Sequence, residues 1–185
     1  METEYQFTIE EILFHYEPDE LQRWRKGDRS LVPERLFRFK GPGLANGYGY
    51  AEFVVGRCLE EQGYEVITNE FGLIGNTSKY EKNNLRIESA LGKEEYNRLR
   101  RSIKVIRDSG LRIEQPDICA ISPTVFFAEA KRNGDRLRKP QKRFAALASA
   151  LLHVPFKVYK VLPTGTNYQT SRIELREKLP EECLR

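Results

Sequence analysis

Two short apolar runs separated by a three-residue turn constrain this chain more than any other feature. Ile118-Cys119-Ala120-Ile121 is small and apolar throughout and reads as a buried strand. In Val125-Phe126-Phe127-Ala128-Glu129-Ala130-Lys131 a two-residue period puts Phe127, Glu129 and Lys131 on one face. Ser122-Pro123-Thr124 between them is turn material. The unit is a hairpin, and its charged end gathers Asp117, Glu129 and Lys131 at one place.

These residue types belong together chemically. Hard divalent ions such as Mg²⁺ or Mn²⁺ take oxygen ligands and are commonly held by one or two carboxylates plus substrate phosphate oxygens, a role that suits Asp117 and Glu129. Such an ion polarises a scissile phosphate and makes water more acidic, and an ammonium group such as that of Lys131 orients the water or steadies the charge growing on phosphorus. Taken alone, the tripeptide Glu129-Ala130-Lys131 is weak evidence, and a surface strand carrying an ordinary ion pair is its plainer reading.

The residues C-terminal to this tripeptide are more specific. Glu129-Ala-Lys131 runs on through Arg132-Asn-Gly-Asp135-Arg136-Leu137 to Gln141-Lys142-Arg143-Phe144 and an alanine- and leucine-rich helix. This pattern resembles the virus-type replication-repair nuclease (VRR-NUC) family of the PD-(D/E)XK nuclease superfamily, over residues 45–162 and most closely over 116–152. The resemblance implies an α/β fold with a restriction-endonuclease-like core: αβββαβ in order, a mixed sheet flanked by helices. It also implies Asp117 and Glu129 as metal ligands, Lys131 as the catalytic lysine, Gln141 as an auxiliary active-site glutamine and Glu52 as a helix-borne acid that binds or orients metal water. One departure is visible, since the family's usual Ser-Pro helix start is replaced by Arg138-Lys139-Pro140.

Helical spacing bears on two of these residues independently. At about 100° per residue, Leu137, Phe144, Ala148, Leu151 and Leu152 form one apolar arc, and Gln141 falls inside it. A polar amide in such a place needs a partner; the plainer role for it is to cap a free backbone group at the helix start. Ala51, Val54, Val55, Cys58 and Leu59 form the apolar face of a helix at 47–62, with Glu52 at its rim. A glutamate in a first helical turn is also favoured simply by the helix dipole. The glycines of Gly41-Pro-Gly43 and Gly47-Tyr-Gly49 form no Walker or dinucleotide motif, so no nucleotide cofactor is expected; they let the backbone approach DNA closely or serve as a turn.

Charge location adds to this. The chain of 185 residues carries a net charge of +4, and its 39% hydrophobic content is enough for one core. Two basic clusters stand out: Arg98, Arg100, Arg101, Lys104 and Arg107, and then Arg132, Arg136, Arg138, Lys139, Lys142 and Arg143. Within them Arg100, Lys104, Arg107, Arg132, Arg136, Arg138, Lys139 and Lys142 are the candidate phosphate contacts for DNA. Cys58, Cys119 and Cys183 are too scattered for a zinc site or a disulfide framework, and His15 and His153 are isolated. No apolar run approaches the ~18 residues of a membrane span, and the acidic start Met1-Glu-Thr-Glu4 is unlike a signal peptide, so a cytoplasmic location is expected.

Along the chain, residues 1–44 read as an N-terminal accessory segment, helical over 8–40, and 45–162 as the nuclease core with an insertion at 72–110. Strands are expected at 64–71 and 156–162 and a helix at 138–152. The insertion comprises a loop at 72–92 and a basic amphipathic helix at 93–109 whose apolar face is Tyr96, Leu99, Ile103 and Ile106. The tail, 163–185, is expected to form a short terminal helix. The function expected is Mg²⁺- or Mn²⁺-dependent hydrolysis of DNA phosphodiester bonds, structure-specific at junctions or flaps, in repair, recombination or phage or mobile-element replication. A homodimer would pair two sites about a twofold axis. A sequence-specific restriction-type endonuclease and a catalytically inactive DNA-binding module remain the alternatives.

Overall fold

The hairpin at 116–132 is the middle of a sheet. In a computed structural model, which describes residues 2–31, 43, 47–75 and 78–184, β3 (Ile118–Ser122) pairs antiparallel with β4 (Phe126–Arg132). β2 (Glu65–Thr68) lies on the far side of β3, and β5 (Phe156–Pro163) runs parallel to β4. Two further strands, β1 (Glu2–Tyr16) and β6 (Arg172–Pro180), complete a mixed six-stranded sheet in the order β2-β3-β4-β5-β1-β6.

Strand alternation divides the core into two layers. Phe127 points to one face, where it meets Phe144 edge-on at 5.1 Å between ring centres, while Phe126 points to the other, with Tyr64 and Tyr159. The first face is covered by α5 (Lys139–Leu147), continued by a π-helical turn at Ala148–Leu152, and by α4 (Lys93–Asp108), which buries Tyr96, Leu99, Ile103 and Ile106 as its spacing predicts. The second face is covered by α1 (Pro18–Arg25) and α2 (Tyr50–Glu61), whose Trp24, Tyr50 and Phe53 form an aromatic cluster. No described helix is long and apolar enough to cross a membrane.

Three expectations are corrected. The N-terminal segment begins with a strand, not a helix: Tyr5, Phe7 and Ile9 alternate with exposed Glu4, Gln6 and Thr8, and β1 pairs with both β5 and β6. After Glu11 the burial passes to Ile12, Phe14 and Tyr16, the opposite face, because the strand crosses from under α5 to under α2. A window starting at residue 8 sees only part of this alternation and mistakes it for helical spacing. The stretch 32–42 of that accessory segment lies outside the described residues. The tail, likewise, is mainly strand β6, ending in a short 3₁₀ turn at Glu181–Leu184. Ile173, Leu175 and Leu179 have period two with a gap at Glu177, and that gap is filled by a buried ion pair, Glu177 to Arg143 of α5, at 3.2 Å.

The loop expected at 72–92 instead contains α3 (Glu81–Leu91). Asn83 and Asn84, read as loop formers, use their amides for tertiary bonds: Asn83 Nδ2 donates to the Glu70 carbonyl at 2.7 Å and Asn84 Oδ1 accepts from the Gly72 N–H at 2.9 Å. Fastening the chain leaving β2 outweighs their modest helix propensity.

The Arg143–Glu177 pair yields a test of how β6 is held. Arg143→Ala strands a buried carboxylate and lowers the unfolding free energy by about 3–5 kcal/mol in urea titration, whereas the double change Arg143→Met/Glu177→Leu, which removes both charges, stays close to wild type. Equal losses in the two proteins would show that β6 is held by shape alone.

Candidate functional site

The ladder between β3 and β4 runs from Ala120↔Phe126 to Ile118↔Ala128 and stops there. One residue further Asp117 would face Glu129, but the strands part, and Asp117 Oδ2 instead accepts the Ala130 N–H at 3.2 Å. A side chain thus takes over from the partner strand at the point where the sheet opens. Asp117, Glu129 and Lys131 come together as the spacing predicts.

Glu129 is completely buried on the α5 side of β4. Its Oε2 accepts two hydrogen bonds, from Lys131 Nζ at 2.7 Å and from Gln141 Nε2 at 2.8 Å. Its Oε1 is buried with no hydrogen-bond partner among the described residues. Gln141 does two things at once. Its Oε1 accepts the Arg138 N–H at 3.0 Å, capping α5, while its Nε2 braces Glu129. The first of these is the glutamine half of a capping box, in which the third helical residue reaches back to the N–H of the residue before the helix.

Glu52 arrives from the opposite face of the sheet. One turn beyond it in α2, Gly56 packs on β2 so closely that a Cβ there would lie 3.1 Å from Thr68 Oγ1. That close approach sets Glu52 beside the end of the sheet. Burial, and then the Asp117 carboxylate, push Glu52 up to about 7. The same two causes hold Glu129 above the usual carboxylate range, against the pull of Lys131.

Among the described residues no group of three or more His, Cys, Asp or Glu side chains stands in metal-holding geometry. The chemistry of the donors nevertheless fits a hard divalent cation. Glu129, with one buried oxygen unused, and Asp117 beside it are a crowded pair at the end of the sheet that a cation binding with phosphate oxygens and water would relieve.

Glu52, Asp117, Lys131 and Gln141 line a cleft of about 550 Å³, together with Arg132, Arg136 and Arg138. Arg100, Lys104, Arg107, Lys139 and Lys142 are not part of that lining. Arg100 donates to the Gly75 carbonyl at 3.4 Å and lies over Tyr96, and Lys104 pairs with Asp108 at 2.9 Å, so two of the three α4 cations are occupied locally. The glycine approach to α2 does permit close contact, but to protein: a Cβ on Gly47, at φ 68°, would sit 3.2 Å from Arg132 Nη1.

Sequence reasoning missed several groups here. Asp135 Oδ2 accepts the Arg132 N–H at 3.2 Å and closes the turn after β4. Lys160 of β5, in register with Lys131, donates to the Asp135 carbonyl at 2.9 Å and faces Glu11 of β1 at 3.8 Å. Glu11 in turn accepts from Tyr168 Oη at 3.2 Å and Ser171 Oγ at 2.9 Å. Asn69 also lines the cleft. Lys160, one of two lysines in a mostly apolar strand, offered that as its only signal; Asn69 had none beyond the tolerance of asparagine for left-handed backbone.

The raised carboxyls imply a pH-dependent fold. A carboxyl whose folded pKa exceeds its unfolded value contributes stability at low pH that is lost as pH rises, here from the ordinary 4.5 to about 7 for Glu52. In chelator, wild type should therefore melt at a lower temperature at about pH 8 than at about pH 5, and Glu52→Gln should narrow the gap; Mn²⁺ should raise the melting temperature more at the higher pH. Superimposable melting curves of wild type and Glu52→Gln at both pH values would show that Glu52 feels no such burial. In comparison with known proteins, no family model matches the chain, and neither a curated protein nor a solved structure gives a significant match.

Proposed function

We propose that this chain is a Mg²⁺- or Mn²⁺-dependent nuclease that hydrolyses DNA phosphodiester bonds, a PD-(D/E)XK enzyme most similar to the VRR-NUC branch. The observation that carries this reading is the state of Glu129: a fully buried carboxylate with one oxygen shared by Lys131 and Gln141 and the other unpartnered among the described residues, beside Asp117. With α3 and α4 taken as an insertion between β2 and β3, the order α2, β2, β3, β4, α5, β5 agrees with the αβββαβ order that the resemblance implies, which supports the same reading.

In this mechanism Asp117 and Glu129 hold the ion and Glu52 assists from α2. When bound, the ion supplies a Lewis acid that polarises the scissile phosphate and acidifies water. Lys131, 8% exposed and tethered to Glu129, presents its ammonium to the cleft, where it orients the attacking water and steadies charge on phosphorus. Gln141 keeps Glu129 and Lys131 in place. Arg136 and Arg138 are exposed cations of the cleft lining and contact flanking phosphates, Arg138 by exchanging its 2.9 Å ion pair with Glu114 for one with phosphate. All five residues of the constellation are present, which favours a cutting enzyme over a binding module. A structure-specific activity on junctions or flaps is the substrate class proposed.

The test is incubation with duplex, single-stranded, flap and four-way-junction DNA in Mg²⁺, Mn²⁺ or chelator. Cleavage should require the ion. Asp117→Asn and Glu129→Gln should abolish it with DNA affinity kept, and Lys131→Ala should slow it by about 10²–10³-fold. Wild-type rates in either carboxylate variant would remove the assigned site. Neutralising Arg136 and Arg138 together should flatten the log–log salt dependence of DNA binding by up to about 0.9 per lost contact. An unchanged slope would move the DNA path elsewhere.

A further inference from the structure

Asn69 follows the last residue of β2 and adopts a left-handed backbone, φ 54°, one of two non-glycine residues to do so in the described chain. It stands across from Asp117, to whose carbonyl its N–H donates at 2.8 Å. Its side chain lines the cleft with Glu52, Asp117 and Lys131. There its Nδ2 is buried with no hydrogen-bond partner among the described residues.

That combination is unusual. Buried amide donors are nearly always satisfied, and this one stands in a cleft containing carboxylates, its natural acceptors, without bonding to any of them. An –NH₂ group is a donor only and cannot ligate a cation. What it suits is an anionic oxygen that enters the cleft. The plainer role for Asn69 is to turn the chain, since asparagine tolerates this backbone better than most residues; but a turn alone needs no amide pointing inward, and glycine would serve it better.

We propose that Asn69 donates its Nδ2 hydrogen bond to a non-bridging oxygen of the DNA phosphate held at Asp117, making it a substrate-binding residue on the β2 side of the cleft, opposite Lys131. The proposal rests on the nuclease reading and adds to it a contact from an element outside the acid–lysine–glutamine constellation. Because the backbone N–H of Asn69 is bonded to Asp117, the same residue links the position of the phosphate to that of the carboxylate.

Two variants of the full chain separate the amide from the turn. Asn69→Gly keeps the left-handed backbone and removes the donor; Asn69→Asp keeps the shape and replaces the donor with an anion. Both are compared with wild type by melting temperature, by fluorescence anisotropy with a labelled oligonucleotide in Ca²⁺, and by cleavage under single-turnover conditions in Mg²⁺ or Mn²⁺. The expected result is a melting temperature for Asn69→Gly equal to or above wild type, an affinity weakened about tenfold, as for one lost bond to a charged oxygen, and a larger loss for Asn69→Asp. Wild-type affinity and rate in Asn69→Gly overturn the proposal and leave Asn69 as a turn residue. A wild-type protein that binds DNA but cuts none of it overturns the nuclease reading instead, and the affinity comparison still decides Asn69. A wild-type protein that binds no DNA overturns both.

Discussion

The site depends on a single oxygen. Glu129 Oε2 accepts from a lysine two residues along the same strand and from a glutamine on the helix above, and without those two donors a carboxylate with no exposure would not persist in this core. The bond to Gln141 also decides where α5 begins, since the other end of that amide caps the helix at Arg138. Helix start, strand face and charge burial are therefore one constraint. A change to any of the three residues would be felt by the other two.

Opening of the sheet is the second element of the design. Asp117 could have continued the ladder opposite Glu129, which would have closed the strands and stacked two carboxylates side by side. Its side chain satisfies the Ala130 N–H in place of a backbone carbonyl, so the strands separate without leaving a buried donor unpaired. Gly56 then brings a helix from one face, and Asn69 the end of the neighbouring strand β2, to the gap.

Local pattern was enough to find the hairpin, the shared face of Phe127, Glu129 and Lys131, the buried glutamine and the amphipathic α4, because each is written in spacing within a dozen residues. What was not legible depended on distant partners. Glu177 breaks the alternation of β6, and only Arg143 on α5 makes that break tolerable. Asn83 and Asn84 look like loop residues until their bonds to Glu70 and Gly72 are seen. The N-terminal strand alternates clearly, but on one face for its first half and on the other for its second, so a helical window fits it nearly as well.

The chain of contacts through Lys160 places a limit on how far this domain can be trimmed. Glu11 on β1, itself held by Tyr168 and Ser171 beyond β5, faces the lysine that grips the carbonyl of Asp135, the residue closing the turn after β4. β1 and the segment before β6 are thus wired to the end of the sheet where Asp117 and Glu129 meet, though they lie outside the stretch from α2 to β5. A version cut back to that stretch would leave the Lys160 ammonium without the Glu11 counter-charge and the turn after β4 with a loosened anchor. For this protein the smallest unit that folds and the smallest unit that works need not coincide.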